Sequence, residues 1–159
     1  MKKVFLMVVG LVVLMTAFSA FAEEGYSDDL MDKIMALKAD AEIKKGMPAS
    51  VPGAKVVDTA ETLKMLKDKK VIFLDNRIKT QFDTEHIAGA QLFFCDTLLD
   101  NPGHAKTLDK EKEYLVYCNG TNCWRSPAVA MMLSSLGFKN LYWYRDGLPA
   151  WKKAGNPVE

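Results

Sequence analysis

Short runs of consecutive apolar residues recur along the chain and are separated by amphipathic or polar stretches. They lie at residues 71–74, 92–94, 114–117 and 141–144, with a shorter run at 56–57. Uninterrupted apolar runs of this length are typical of strands that are buried on both faces of a sheet. Because helical or loop stretches alternate with these strands, the pattern predicts an α/β domain with a largely parallel sheet.

The stretches between the runs carry helix signals. Residues 27–45 begin with a serine and two aspartates, carry apolar residues at helical spacing and end in Lys-Lys-Gly, which predicts one amphipathic helix. Its apolar face is expected to pack on the main domain. Residues 46–53 are rich in proline and glycine and predict a linker. Asp58 or Thr59 is expected to cap a second helix, and residues 127–136 predict another.

The first 22 residues have a different character from the rest. Two lysines precede an apolar run over residues 4–21, which ends at Ala22 in a small-x-small pattern followed by two glutamates. These are the features of a secretory signal peptide, so we expect cleavage after Ala22 and a periplasmic protein. A retained membrane anchor is the alternative, because the run approaches the roughly 20 residues that span a bilayer. The remaining chain divides into residues 23–53, a helix and linker, and residues 54–159, the main domain.

Composition and charge narrow the class of protein. The chain of 159 residues is 49% hydrophobic and 26% charged, which suits one ordinary folded domain rather than a disordered chain. Its 21 basic and 20 acidic residues nearly cancel and form no basic stripe. We therefore expect no nucleic-acid partner, because the sequence has no cluster of basic residues that would bind a phosphate backbone.

The candidate chemistry lies directly after the run at residues 114–117. Cys118 begins a polar loop that contains a second thiol, Cys123, and Ser126 is expected to cap the helix that follows. Ligands bind beyond the carboxyl ends of strands in such sheets. The loop N–H groups, the helix dipole and Arg125 would favour an anion there. Cysteines in such settings have pKa values lowered from about 8.5 into roughly the 3.5–7.5 range, so Cys118 is the expected nucleophile.

The chain resembles the single-domain rhodaneses, which move sulfane sulfur through a cysteine persulfide. The resemblance covers about residues 54–155 and rests on an ordered set of segments. These are residues 71–77 ending in Asp-Asn-Arg, residues 82–90 with a His-Ile-Ala-Gly-Ala turn, the cysteine loop, residues 136–142, and residues 146–151 with the sequence Asp-Gly-Leu-Pro-Ala-Trp. It implies a rhodanese-like three-layer fold, a parallel five-stranded sheet flanked by helices, here preceded by an extra N-terminal helix.

The resemblance also implies roles for individual residues. Cys118 would carry the persulfide and Arg125 would orient an anionic donor. Cys123 lies where the family has a non-reactive residue, and its closeness to Cys118 in the sequence makes it a candidate second catalytic thiol, with a disulfide partner or a passive loop residue as the alternatives. The expected substrate-binding residues are Asn119, Gly120, Thr121, Asn122, Trp124, Ser126, Asp75 and Arg77. The implied partners are a small sulfur-containing anion or persulfide donor, a thiol acceptor, and a thioredoxin-like reductant. We expect no cofactor and no metal, since the cysteines and histidines do not form a zinc pattern, and no stable membrane insertion after cleavage.

The cysteine loop departs from the family pattern in length. Six residues separate Cys118 from Arg125, two more than in the usual rhodanese loop, and rhodanese-fold phosphatases lengthen the loop by one residue only. Two alternatives therefore stay open. One is a dithiol redox enzyme, or an enzyme directed at phosphate or arsenate, using Cys118 and Cys123; the other is a non-catalytic binding module. We also expect a reversible disulfide between the two cysteines in an oxidising compartment.

Several residues have a structural interpretation beside the functional one. Asp75 and Arg77 are expected either to border the pocket or to form a buried ion pair. Cys95 is expected to be a core thiol and His86 to make a structural hydrogen bond. The aromatic residues at 142–144 are expected to be strand core.

Overall fold

The structure, a computed structural model, describes residues 25–159. Its strands form one five-stranded sheet in the order β1-β5-β4-β2-β3, and every neighbouring pair is parallel. The strands are β1 (Lys55–Val57), β2 (Val71–Asp75), β3 (Gln91–Leu92), β4 (Glu113–Tyr117) and β5 (Leu141–Tyr144). The predicted parallel sheet is confirmed. The signal segment expected at residues 1–22 lies outside the described residues, and no helix within 25–159 is long and apolar enough to cross a membrane.

Helices cover both faces of the sheet and make a three-layer domain. The central strand β4 shows why: Tyr114 and Val116 face one apolar cluster, whereas Leu115 and Tyr117 face the other. The first cluster lies under α1, α4 and α5, and the second under α2 and α6. The helices are α1 (Asp28–Glu42), α2 (Thr59–Asp68), α3 (Lys79–Thr84), α4 (Cys95–Asp100), α5 (Arg125–Ser135) and α6 (Gly147–Lys153), with a 3₁₀ helix at Pro102–Thr107.

Some predicted boundaries differ from the observed ones. The run at residues 92–94 contributes only its first residue to β3, because the Phe93 N–H donates to the Asp75 carbonyl (2.8 Å) and the chain then turns into α4. The helix expected at 127–136 begins two positions earlier, at Arg125. The N-terminal helix ends at Glu42 rather than near residue 45.

The sheet order places the cysteine loop at the crevice where ligands bind. The chain runs from β2 outward to β3 on one side and from β4 outward to β5 on the other. The carboxyl ends of β2 and β4 therefore flank the topological switch point of the sheet. Cys118 follows β4 immediately, so its position in the fold matches the prediction.

The N-terminal helix is part of the domain core. Ser27 caps it by accepting a hydrogen bond from the Leu30 N–H (3.4 Å). Ile34 is fully buried in the cluster shared with α4 and α5. The Tyr26 hydroxyl, just before the helix, donates to the Leu98 carbonyl of α4 (2.8 Å). The expected packing of this helix on the main domain is confirmed.

We predict that Ile34→Ala lowers the free energy of unfolding by about 2–5 kcal/mol, because it leaves a cavity between α1 and the sheet. The matched control is Met35→Ala on the same helix. Met35 is 52% exposed, so its loss should change stability by no more than about 0.5 kcal/mol. Urea denaturation measures both variants. Equal midpoints for Ile34→Ala and the unmodified protein would mean that α1 does not contribute to the core.

Candidate active site

The backbone around Cys118 is held from two sides. On one side, the Asn76 N–H that follows β2 donates to the Tyr117 carbonyl (3.0 Å). On the other, the Leu148 N–H of α6 donates to the Cys118 carbonyl (3.0 Å). Beyond Cys118, the Cys123 N–H donates to the Gly120 carbonyl (2.9 Å) and closes a turn. The backbone position of Cys118 is therefore fixed by the chain after β2 and by α6.

Cys118 and Cys123 form a disulfide in this structure, with their Cα atoms 6.2 Å apart. This separation lies in the usual range for bridged cysteines. The expected link is therefore present, and its reversibility stays a prediction. The two cysteines differ in exposure: Cys118 is 1% exposed, whereas Cys123 is partly exposed.

Two glycines allow the loop backbone to touch the turn before α6. Gly147 has a φ of +63° and Gly120 a φ of +98°. A Cβ at Gly147 would overlap the Cys118 carbonyl oxygen and the Gly120 amide nitrogen, and one at Gly120 would lie 3.1 Å from the Asp146 carbonyl oxygen. Only glycine fits such a close approach at a positive φ. Gly147 is not among the site residues predicted from the sequence. Its position in the Asp-Gly-Leu-Pro segment, which is part of the resemblance, is the sequence signal that could have identified it.

The segment predicted as a linker is ordered against the cysteine loop. Met47 is 2% exposed, and its N–H donates to the Thr121 carbonyl (2.7 Å). Arg145, just after β5, donates from Nη2 to the Met47 carbonyl (2.7 Å) and from Nε to the Pro48 carbonyl (3.0 Å). The segment is the irregular connection between α1 and β1 that the sequence predicts, and these bonds also make it a support of the loop. No local pattern in the sequence predicts these hydrogen bonds.

Arg125 is occupied by an ion pair with α4. Its Nη2 lies 3.0 Å from Asp96 Oδ2, and its guanidinium carbon lies 5.1 Å from the ring centroid of Trp124 and 5.7 Å from that of Phe94. Its Nε is buried and has no acceptor among the described residues. The arrangement ties the start of α5 to α4, so the structure gives no support to the expected role of Arg125 in orienting an anion.

The predicted capping role of Ser126 is wrong. The N-cap position of α5 belongs to Trp124, whose backbone is already helical, and no side chain caps the helix. The buried Ser126 hydroxyl instead accepts a hydrogen bond from Trp143 Nε1 of β5 (3.0 Å). Trp124 is also buried, with the Lys38 ammonium of α1 5.7 Å from its ring centroid. Both residues therefore have structural contacts in the core, and their expected contact with substrate stays a prediction.

The remaining loop residues face solvent beside a shallow depression. The side chains of Asn119, Thr121 and Asn122 are exposed, and Asn119 Nδ2 donates to Gln81 Oε1 of α3 (3.1 Å). The depression has a volume of about 330 Å³ and is lined by Asn119, Gly120, Thr121, Asp146, Pro149, Ala150 and Lys153. Lys153 is its only cation. A larger depression, about 490 Å³, includes Lys55 and Asn140 at the opposite, amino-terminal edge of the sheet and has no cysteine in its lining.

Asp75 and Arg77 form a buried ion pair. Asp75 is 0% and Arg77 4% exposed, and Arg77 Nη2 donates to Asp75 Oδ2 (2.7 Å) while Nε donates to Oδ1 (2.9 Å). The same guanidinium donates to the Glu85 carbonyl (2.6 Å). Burial raises the pKa of the Tyr117 phenol, and the adjacent Asp75 carboxylate raises it further. Of the two interpretations of Asp75 and Arg77, the structure supports the buried ion pair.

The other candidate side chains are also structural. His86 Nδ1 lies 2.9 Å from the Phe82 carbonyl, and the two rings stack at 3.8 Å. Cys95 is a free, fully buried thiol whose pKa is raised, mainly by burial and further by the Asp96 carboxylate. Both predictions are confirmed. Within residues 25–159, no cluster of His, Cys, Asp and Glu side chains has a metal-binding arrangement.

We predict that Arg77→Ala lowers the free energy of unfolding by about 3–5 kcal/mol, because it leaves the Asp75 carboxylate buried without a partner. Lys79→Ala is the matched control, since it breaks an exposed ion pair with Asp83 (2.7 Å). Such a pair contributes no more than about 1 kcal/mol. Guanidinium denaturation measures both. Similar small losses in the two variants would show that the buried pair does not hold the strand ends.

Comparisons with known proteins agree with this geometry. The family described as Rhodanese-like domain matches residues 58–154. The thiosulfate sulfurtransferase GlpE of Coxiella burnetii is 31% identical over 99 residues, which cover 62% of this chain and 87% of that protein. Arsenate reductase 2.2 of Oryza sativa subsp. japonica is 25% identical over 114 residues, covering 67% and 88%.

Solved structures show the same fold. The BH2092 protein of Bacillus halodurans has a TM-score of 0.61 at 26% identity, covering 67% of this chain and 77% of that one. The rhodanese-like domain of the Alr3790 protein from Anabaena sp. has a TM-score of 0.55 at 28% identity, covering 65% and 76%. The predicted family and fold are thereby confirmed. With its parallel five-stranded sheet and a cysteine at the end of the central strand, this chain belongs to the family of rhodanese-like domains.

Proposed function

We propose that this protein is a rhodanese-type sulfurtransferase in which Cys118 carries the transferred sulfur. The observation that carries the proposal is the position of Cys118 directly after the central strand, at the switch point of the sheet. The likeness to a thiosulfate sulfurtransferase supports the same activity. The two-residue extension of the loop and the paired cysteine distinguish it from the usual family pattern.

The chemistry requires the reduced form of the loop. The Cys118 thiolate attacks the sulfane sulfur of a small anionic donor such as thiosulfate, the donor S–S bond breaks, and sulfite leaves with the electron pair. The terminal sulfur of the Cys118 persulfide then passes to a thiol or cyanide acceptor, and the Cys118 thiolate is regenerated. Because Arg125 is paired with Asp96, we assign the attraction of the anionic donor to Lys153, which lines the depression beside the loop.

A dithiol cycle is the second candidate, and the Cys118–Cys123 disulfide favours it. In this cycle the Cys123 thiolate attacks Sγ of a Cys118 persulfide, the outer sulfur leaves as hydrosulfide, and the disulfide closes. Two electrons from a thioredoxin-like or small thiol reductant then reopen it. The likeness to a protein named as an arsenate reductase agrees with a redox activity, although at lower identity.

We further propose that the protein acts in the periplasm. The basic start, apolar run and small-x-small ending of residues 1–22 support export with cleavage. A disulfide between the loop cysteines suits an oxidising compartment.

We predict that Cys118→Ser lowers cyanide-acceptor sulfurtransferase activity by roughly a thousandfold or more, because a hydroxyl cannot form the persulfide. The assay uses thiosulfate and protein reduced beforehand. Cys95→Ala is the control, since this buried thiol lies outside the loop and its loss should leave the activity of the folded protein nearly unchanged. If Cys118→Ser kept full turnover and Cys123→Ser abolished it, the roles of the two loop cysteines would be exchanged.

We predict that the exported protein begins at Glu23, because Ala20 and Ala22 occupy the positions that a signal peptidase reads. Amino-terminal sequencing of protein from the periplasmic fraction measures this. Recovery of the protein in the membrane fraction with Lys2 still present would contradict cleavage and support the retained anchor.

A further inference from the structure

The two sulfur-bearing residues of the disulfide are unequally accessible. Cys118 is 1% exposed and lies beneath the contact with Gly147, at the end of a fully buried strand segment. Cys123 is partly exposed and lies next to the exposed residue Asn122. A molecule approaching from solvent therefore meets Cys123 first.

This asymmetry determines how a reductant can open the bond. In thiol–disulfide exchange, a thiolate attacks one sulfur of the disulfide and the other sulfur leaves, so access to each sulfur decides which cysteine is released. Attack on Cys118 would require the incoming thiolate to reach a residue that is 1% exposed and whose backbone is held by the Leu148 N–H of α6 (3.0 Å). Attack on Cys123 requires no rearrangement of these contacts.

We propose that Cys123 is the site at which an external thiol reductant forms a mixed disulfide, and that Cys118 is released as the thiolate in that same step. The bond between the two loop sulfurs breaks, a bond forms between the reductant sulfur and Cys123 Sγ, and the electron pair stays on Cys118. A second thiolate then attacks the reductant sulfur of this mixed disulfide. It comes from a second reductant molecule or, in a dithiol reductant, from the same molecule. The reductant leaves as its disulfide, Cys123 is released as a thiolate, and two electrons have been transferred.

This assignment rests on the proposed function, in which Cys118 is the nucleophile, and adds the order of events at the same loop. The first exchange step already releases the Cys118 thiolate, which accepts sulfur from the donor, before the reduction of Cys123 is complete. While the reductant remains on Cys123, that sulfur is blocked and cannot resolve a persulfide on Cys118. The partner class that fits is a thiol or dithiol reductant that approaches the solvent-facing side of the loop.

The test traps the first intermediate in the oxidised exported protein. Reduced glutathione is added as the probe thiol, and exchange is stopped with acid after short intervals. Every free thiol is then blocked with N-ethylmaleimide in denaturant, and a separate portion is labelled without denaturant. Peptide fragmentation between residues 119 and 122 separates the two cysteines. At the earliest times, extrapolated to zero, we expect species with glutathione on Cys123 and maleimide on Cys118 to exceed the reverse species by about tenfold or more, since Cys118 is 1% exposed and Cys123 is partly exposed.

The matched control is the same trapping in concentrated guanidinium chloride. Unfolding exposes both sulfurs, so the preference for Cys123 should fall to within about threefold if the fold imposes it. Cys95 provides an internal check of folding. Because burial raises the pKa of this thiol, it should stay unlabelled by maleimide in the folded protein and become labelled in the unfolded one.

Each outcome has a distinct meaning. Glutathione found mainly on Cys118 would overturn the assignment, and so would a disulfide that glutathione and dithiothreitol cannot open in the folded protein. A preference that persists unchanged after unfolding would also overturn it, because the fold would not be its cause. Trapping needs no sulfur donor, so a Cys123 adduct in a protein without sulfurtransferase activity would refute the proposed function and leave this inference standing.

Discussion

The ion pair between Asp75 and Arg77 is the constraint on which the carboxyl edge of the sheet depends. A carboxylate and a guanidinium removed from water must satisfy each other, because either one alone would be costly to bury. Arg77 therefore has a single arrangement, in which it also bonds the Glu85 carbonyl, and the Tyr117 hydroxyl lies beside Asp75 while accepting the Ile87 N–H (3.1 Å). The ends of β2 and β4 are fixed together, and the cysteine loop starts from a defined point.

From that point the loop is supported by elements far away in the sequence. The turn at Gly147 lies directly against the backbone of Cys118 and Gly120. On the opposite flank, Met47 bonds the Thr121 carbonyl and is itself held by Arg145. Met47 lies outside the region matched by the family, which begins at residue 58. The cysteine loop thus receives part of its support from the N-terminal extension.

The same packing gives the two loop cysteines different exposure to solvent. Cys118 is 1% exposed and lies at the end of β4, where its carbonyl is bonded by α6. Cys123 lies on the solvent-facing part of the loop, where thiols from solution can reach it. The disulfide between them therefore joins a protected sulfur to an accessible one, and the oxidised loop holds no free thiolate.

The sequence by itself determined the features that depend on local patterning. Apolar runs and helix caps predicted the parallel sheet, the N-terminal helix and the place of Cys118 after β4, because buried strands and caps leave their signal in adjacent residues. The tertiary structure decided the features that depend on distant partners. Ser126 bonds Trp143 instead of capping a helix, Arg125 forms an ion pair with Asp96 of α4, and the segment before β1 supports the loop through Met47. In each case a polar side chain or backbone group forms its hydrogen bond with a partner that is distant in the sequence and that folding brings close. The residues next to it in the sequence do not specify that partner.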